Sequence, residues 1–111
     1  MKTSLNLNLK LVAMCGLLAG AVMPVLAQDS GADVYKQKCS LCHGDSGKGD
    51  TPAGQAFKAA SFSDPAVIKV SDADRAMVIK NGKGKMPGFG DSITPDQVKA
   101  VLAYVRTLEK K

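Results

Sequence analysis

The chain is 111 residues long, with 15 Lys and Arg against 10 Asp and Glu and a formal net charge of +5. That length holds one domain, and so mild a basic excess argues against nucleic acid as a partner, because phosphate backbones select a concentrated basic face. Three Phe, two Tyr and no Trp leave little apolar bulk, and a small domain so poor in large side chains calls for a staple of another kind.

Residues 1–27 read as a secretory signal peptide. Lys2 and Lys10 make a basic start, and residues 11–27 carry no charge. The segment ends Val25-Leu26-Ala27 ahead of the polar Gln28-Asp29-Ser30, the pattern of a cleavage site. A core helix would show a polar face. A membrane anchor would want about 18 or more apolar residues, and Gly16, Gly20 and Pro24 weaken one here. Cys15 falls inside this stretch behind Met14, which is not the small residue that a lipoprotein signal needs. The expectation is therefore a cleaved leader over 1–27 and a periplasmic domain over 28–111, with an uncleaved anchor as the alternative. Without the leader the balance is 13 basic to 10 acidic residues.

The rest of the chain is patterned for an all-α domain of four to five short helices, with no alternating strand pattern. Ser30 caps a first helix, with Asp33 three residues on and Val34, Tyr35 and Cys39 at helical spacing. Residues 44–51 are loop by composition. Thr51-Pro52 opens a short helical turn towards Phe57. Asp64-Pro65 pairs an N-cap with proline at the first helical position, leading into a short segment through Val70. Ser71 with Asp74 starts a helix through Lys80, which Asn81-Gly82 ends. Residues 82–91 form a second Gly-rich loop. The last helix is the best marked: Thr94 caps it, Pro95 opens it and Gln97 completes the box. Val98, Val101, Leu102, Val105 and Leu108 line one face of it, and Lys110 and Lys111 sit at its negative end.

The chemistry concentrates in Cys39-Ser40-Leu41-Cys42-His43. Two thiols with two residues between them, followed directly by histidine, make the attachment run of a covalent c-type haem. The thiols bond the two vinyl groups at one edge of the ring, and His43 swings under the iron. Three other readings compete. A redox dithiol belongs to a strand–helix context, which this chain lacks. A closed zinc site wants four ligands, and past Cys39, Cys42 and His43 the mature region has no further Cys or His. A structural disulfide is permitted by export.

His43 is the only histidine of the chain, so ligation by two histidines is excluded within it. Outside the leader the methionines are Met77 and Met86. Met77 lies mid-helix, where core packing explains it. Met86 lies in Gly82-Lys83-Gly84-Lys85-Met86-Pro87-Gly88. Pro87 holds Met86 out of the helical region, and the flanking glycines allow close backbone approach. The metal ligands expected are thus His43, proximal, and Met86, distal, with Cys39 and Cys42 as the covalent anchors of one haem c. A thioether ligand raises the reduction potential. With both axial positions filled there is no place for a small-molecule substrate, which favours electron transfer over catalysis and argues that the protein is not an enzyme.

With these residues in place, the chain resembles the small soluble single-haem class I c-type cytochromes of bacteria over nearly all of residues 30–109. Gly31 and Tyr35 look like that family's glycine and aromatic on the first helix, where it crosses the last, and Tyr104 like the aromatic of the last helix. The resemblance implies an all-helical cytochrome c fold with one haem edge exposed. It also implies a proximal histidine whose second ring nitrogen donates to a backbone carbonyl, with Pro52 as the residue expected to supply it. The function implied is a monomeric carrier that shuttles single electrons between periplasmic or membrane redox partners. Lys80, Lys83 and Lys85 around the methionine loop are either ordinary surface charge or a docking patch for an acidic partner face. A haem-based sensor or gas-binding protein, in which Met86 leaves the iron, and a haem-free thiol–disulfide protein are the alternatives.

Overall fold

A computed structural model describes residues 30–111, together with Gly20. The signal-peptide reading and Cys15 therefore lie outside the described residues. Six helical segments follow in order: α1 (Gly31–Lys38), α2 (Ser40–His43), α3 (Pro52–Phe57), α4 (Pro65–Ile68), α5 (Asp72–Asn81) and α6 (Pro95–Leu108). No strand occurs among the described residues; the one β-like feature is the isolated bridge between Lys83 and Met86.

Each start is written in local chemistry. Ser30, Thr51, Asp64, Ser71 and Thr94 all accept a backbone N–H of the following first turn, which satisfies donors that the helix leaves orphaned. Thr94 and Gln97 form a complete capping box. Proline opens α3, α4 and α6, where its missing N–H costs nothing. The first helix is divided in two at Cys39, raising the number of segments above the four to five expected. Ser40 supplies a reason: its hydroxyl donates to the Lys36 carbonyl at 2.8 Å, a back-bond that bends helices.

The core is the crossing of α1 on α6. Val34, Tyr35, Val101, Val105 and Leu108 are buried there with Ile93. Gly31 makes the crossing possible, since a Cβ at that position would run into the Ala100 carbonyl. The Tyr35 and Tyr104 rings meet with centroids 5.2 Å apart. Of the five residues expected on the inner face of α6, Val98 is the one only partly buried.

A polar strap ties α4 and α5 to the end of α6. Buried Arg75 bonds Glu109 at 2.7 Å and the Val67 carbonyl at 2.6 Å. Arg106 bonds Asp72 at 2.8 Å and donates to the carbonyls of Ile68 and Val70. The bonds from Arg106 satisfy the Ile68 and Val70 carbonyls, at the end of α4 and just past it, which accept no backbone N–H. Between this frame and the loop after α5 a large cleft remains.

Candidate functional site

The cleft has two lobes, of about 590 and 230 Å³. Both reach Cys39, His43, Val78 and Met86; the larger adds Leu41, Cys42, Phe57 and Pro87, and the smaller adds Tyr35, Phe62 and Val101. The larger lobe falls in the size range of cofactor pockets, and the lining of both is mostly apolar.

The α2 turn that carries Cys42 and His43 is clamped from two sides. The Thr51 hydroxyl donates to the carbonyls of Leu41 and Cys42, at 2.7 and 3.1 Å, while accepting the Gly54 N–H at 2.9 Å. One side chain therefore caps α3 and holds the end of α2. Gly54 is buried against this turn, where a Cβ would overlap the Cys42 carbonyl. On the other side the buried Tyr35 hydroxyl donates to the Gly44 carbonyl at 2.6 Å, and the Gly49 N–H donates to the His43 carbonyl at 2.8 Å.

His43 points its Nδ1 at the Ala60 carbonyl, 3.0 Å away. A carbonyl only accepts, so Nδ1 carries the proton and Nε2 keeps its lone pair. Burial lowers the imidazole pKa, against the pull of the Ala60 bond, and so favours the neutral ring that metal binding requires. The accepting carbonyl belongs to Ala60, which corrects the expectation of Pro52. That proline is spent on opening α3, and the chain reaches the histidine only after α3 has turned back. Lys58 makes this turn in the left-handed region, at φ 55°.

Cys39 and Cys42, both half-buried, are not bonded to each other. Burial pushes the Cys39 thiol up to about 11. Reactive dithiols have the opposite property, a lowered pKa. Among the described residues no group of three or more His, Cys, Asp or Glu side chains is placed to hold a metal ion, so the four-donor set of a closed zinc site is not assembled.

The two methionines separate cleanly. Met77 is 56% exposed on α5 and touches neither lobe, which corrects its reading as a core residue. Met86 is half-buried and lines both lobes. Its loop is tightly built. Lys83 and Met86 exchange two backbone hydrogen bonds of 3.0 Å each, around Gly84 at φ +57°. The Phe89 and Gly90 N–H groups return to the Ile79 and Lys80 carbonyls, which closes the end of α5. Gly82, at φ +80°, leaves room for the loop; a Cβ there would lie 2.6 Å from the Met86 carbonyl.

Residues 26–105 match the family described as cytochrome c oxidase, cbb3-type, subunit III. The chain belongs to this family of c-type cytochromes. It is 36% identical to cytochrome c6 of Gloeothece citriformis over 80% of this chain and 78% of that one. The identity is 37% with cytochrome c6 of Limnospira maxima, over 68% and 86% of the two chains. It is also 33% identical to the cbb3-type cytochrome c oxidase subunit FixP of Azorhizobium caulinodans over 74% of this chain, but spans only 27% of that protein. The solved structure of the c-type cytochrome KustC0563 superposes with a TM-score of 0.67 at 32% identity, covering 73% of this chain and 99% of that one. The fold is the all-α cytochrome c fold. This cytochrome carries covalent haem c and transfers electrons between redox partners.

Lys80 does not line the cleft; its aliphatic stem closes over Gly90. Lys83 and Lys85 do, and Lys38 and Lys58 join them at the larger lobe. Sequence reasoning missed those two, because 20 residues separate them in the chain. It also missed Ala60, Phe62 and the second role of Thr51. Thr51 was visible as a cap, but nothing in the sequence says which carbonyls its hydroxyl meets.

Proposed function

We propose that this cytochrome is a diffusible one-electron carrier whose haem is held by thioether bonds from Cys39 and Cys42 and ligated by His43 and Met86. One observation carries the reading: these four side chains, drawn from two segments more than 40 residues apart, line one apolar cleft. When bound, the haem supplies a one-electron iron couple. The protein does the rest. Ala60 holds the His43 proton on Nδ1 and so presents Nε2. Thr51 and Tyr35 fix the turn that carries the attachment residues, and the Lys83–Met86 turn aims the thioether. The apolar walls exclude water, which keeps charge reorganisation around the iron small.

The sensor reading requires Met86 to leave, and the four backbone bonds that fasten its loop at both ends oppose that. The dithiol reading conflicts with the raised pKa of the Cys39 thiol. Periplasmic location is part of the proposal and is supported by the basic start and uncharged run of residues 1–27. No helix among the described residues is long and apolar enough to cross a membrane. We further propose that the carrier acts as a monomer and meets an acidic partner face through Lys38, Lys58, Lys83 and Lys85, which rim the larger lobe without a single acidic neighbour in its lining. FixP, by its name an oxidase subunit, suggests a terminal oxidase as one class of partner.

The test is an absorption spectrum of protein exported with haem-maturation machinery, oxidised and then reduced. Sharp reduced bands of a six-coordinate low-spin c haem are expected, with the weak far-red ferric band of methionine ligation. In Met86→Ala that band disappears and the potential falls by a sizeable part of the roughly 0.8 V that axial ligands span. A colourless protein would overturn the proposal. A Met86→Ala protein that keeps the far-red band would remove Met86 as the ligand.

A further inference from the structure

The His43 imidazole is touched on two sides by one short segment, residues 60–62. Ala60 receives its Nδ1–H within the ring plane. Phe62 lies flat on its face, with ring centroids 4.6 Å apart and planes 20° from parallel. A single hydrogen bond fixes the direction in which the ring points and leaves it free to swing about that line. A flat partner on the face removes that remaining freedom. We propose that Phe62 is a positioning residue that sets the plane of the axial imidazole, with Ala60 setting its direction. The inference rests on the reading of His43 as the iron ligand.

Phe62 is itself held firmly enough to act in this way. Its N–H donates to the Gly47 carbonyl at 2.8 Å. Its ring meets Tyr35 edge-on at 6.4 Å. On the Gly47 side there is no slack: a Cβ at Gly47, where φ is +75°, would lie 2.8 Å from Phe62 Cδ2 and 3.2 Å from Leu108. Gly47 is thus small so that Phe62 can sit back on it and still press on the histidine. The buried end of α6, through Leu108, backs the same stack. The plane of an axial imidazole decides which iron orbitals it overlaps, and hence how unpaired spin spreads over the four quadrants of a ferric haem. Phe62 would then govern a property that packing alone does not touch.

The experiment is proton NMR on the haem-loaded protein, wild type, Phe62→Leu and Phe62→Tyr. In reduced wild type, cross-peaks between the ring protons of Phe62 and His43 are expected; their absence would overturn the inference without any variant. In oxidised wild type, strongly shifted ring resonances of His43 are expected. If they are missing, His43 is not the ligand, and the functional reading fails together with the inference. In Phe62→Leu the order or spread of the four haem methyl shifts should be lost, and Phe62→Tyr should restore the wild-type pattern because it keeps the flat face. If Phe62→Leu shows the wild-type methyl pattern with only a lower unfolding temperature, Phe62 is packing alone and the inference is wrong.

Discussion

Burial of the His43 imidazole holds its pKa below the ordinary value near 6.5, with the bond to Ala60 acting in the other direction. The unfolded chain therefore takes up a proton at a higher pH than the folded one, and stability must rise with pH across that interval. Metal ligation of Nε2 works with the same sign. Because His43 is the only histidine, the slope between pH about 5.5 and 7 belongs to one residue, carboxylates titrating below it. Urea midpoints should be level above pH 7 and should decline below about 6.5, at no more than about 1.4 kcal/mol per pH unit. A flat profile through that window would mean that the folded ring is as easily protonated as the unfolded one.

Among the helical elements, the α1–α6 crossing sets two effects of opposite sign against each other at Gly31. In an isolated helix, alanine in place of glycine is worth up to about 1 kcal/mol of stabilisation. Here its Cβ would overlap the Ala100 carbonyl, and a backbone atom cannot rotate away. Overpacking of that kind costs about 1–3 kcal/mol, so packing wins and Gly31→Ala should destabilise by about 1–2 kcal/mol, with Gly31→Leu losing more. Denaturant unfolding of the two variants checks both sign and order. A more stable Gly31→Ala protein would show that the helices can slide apart at little cost.

At the scale of the whole molecule, the lysine rim gives the cleft a field that a partner would feel before contact. The rim is Lys38, Lys58, Lys83 and Lys85; Lys80 lies outside it. Oxidation by an anionic reagent such as ferricyanide should slow by on the order of tenfold or more at low salt when all four are changed to Gln. The effect should fade at 0.5 M salt, where screening shortens the reach of exposed charges to a few ångströms. A cationic oxidant should respond in the opposite direction, and Lys80→Gln alone should change neither rate. Equal slowing at both salt levels would point to damage near the haem rather than to steering.

Short-range chemistry was legible in the sequence by itself. The five N-caps, the three opening prolines and the inner face of α6 are written in residues one to four apart, and so is the Cys39–His43 run. Such features depend on backbone geometry that each segment carries with it; the caps, the prolines and the α6 face all stand in the structure, while Ser40 breaks the first helix. Met86 stands out from Met77 in the sequence, because Pro87 and the glycines around it restrict the backbone locally, and Met86 is the one of the two that lines the cleft. What only the tertiary structure decided is which distant atoms meet. That Ala60 rather than Pro52 takes the His43 proton depends on how far α3 carries the chain before it returns. That Phe62 stacks on the imidazole depends on Gly47 and Leu108 behind it. Lys38 and Lys58 join the rim, and Lys80 leaves it, because the turns at Cys39 and Lys58 orient their segments towards one mouth. Arg75 reaches Glu109 because α5 and α6 cross. Each of these contacts is a sum of many backbone rotations, and no local pattern of residue types records that sum.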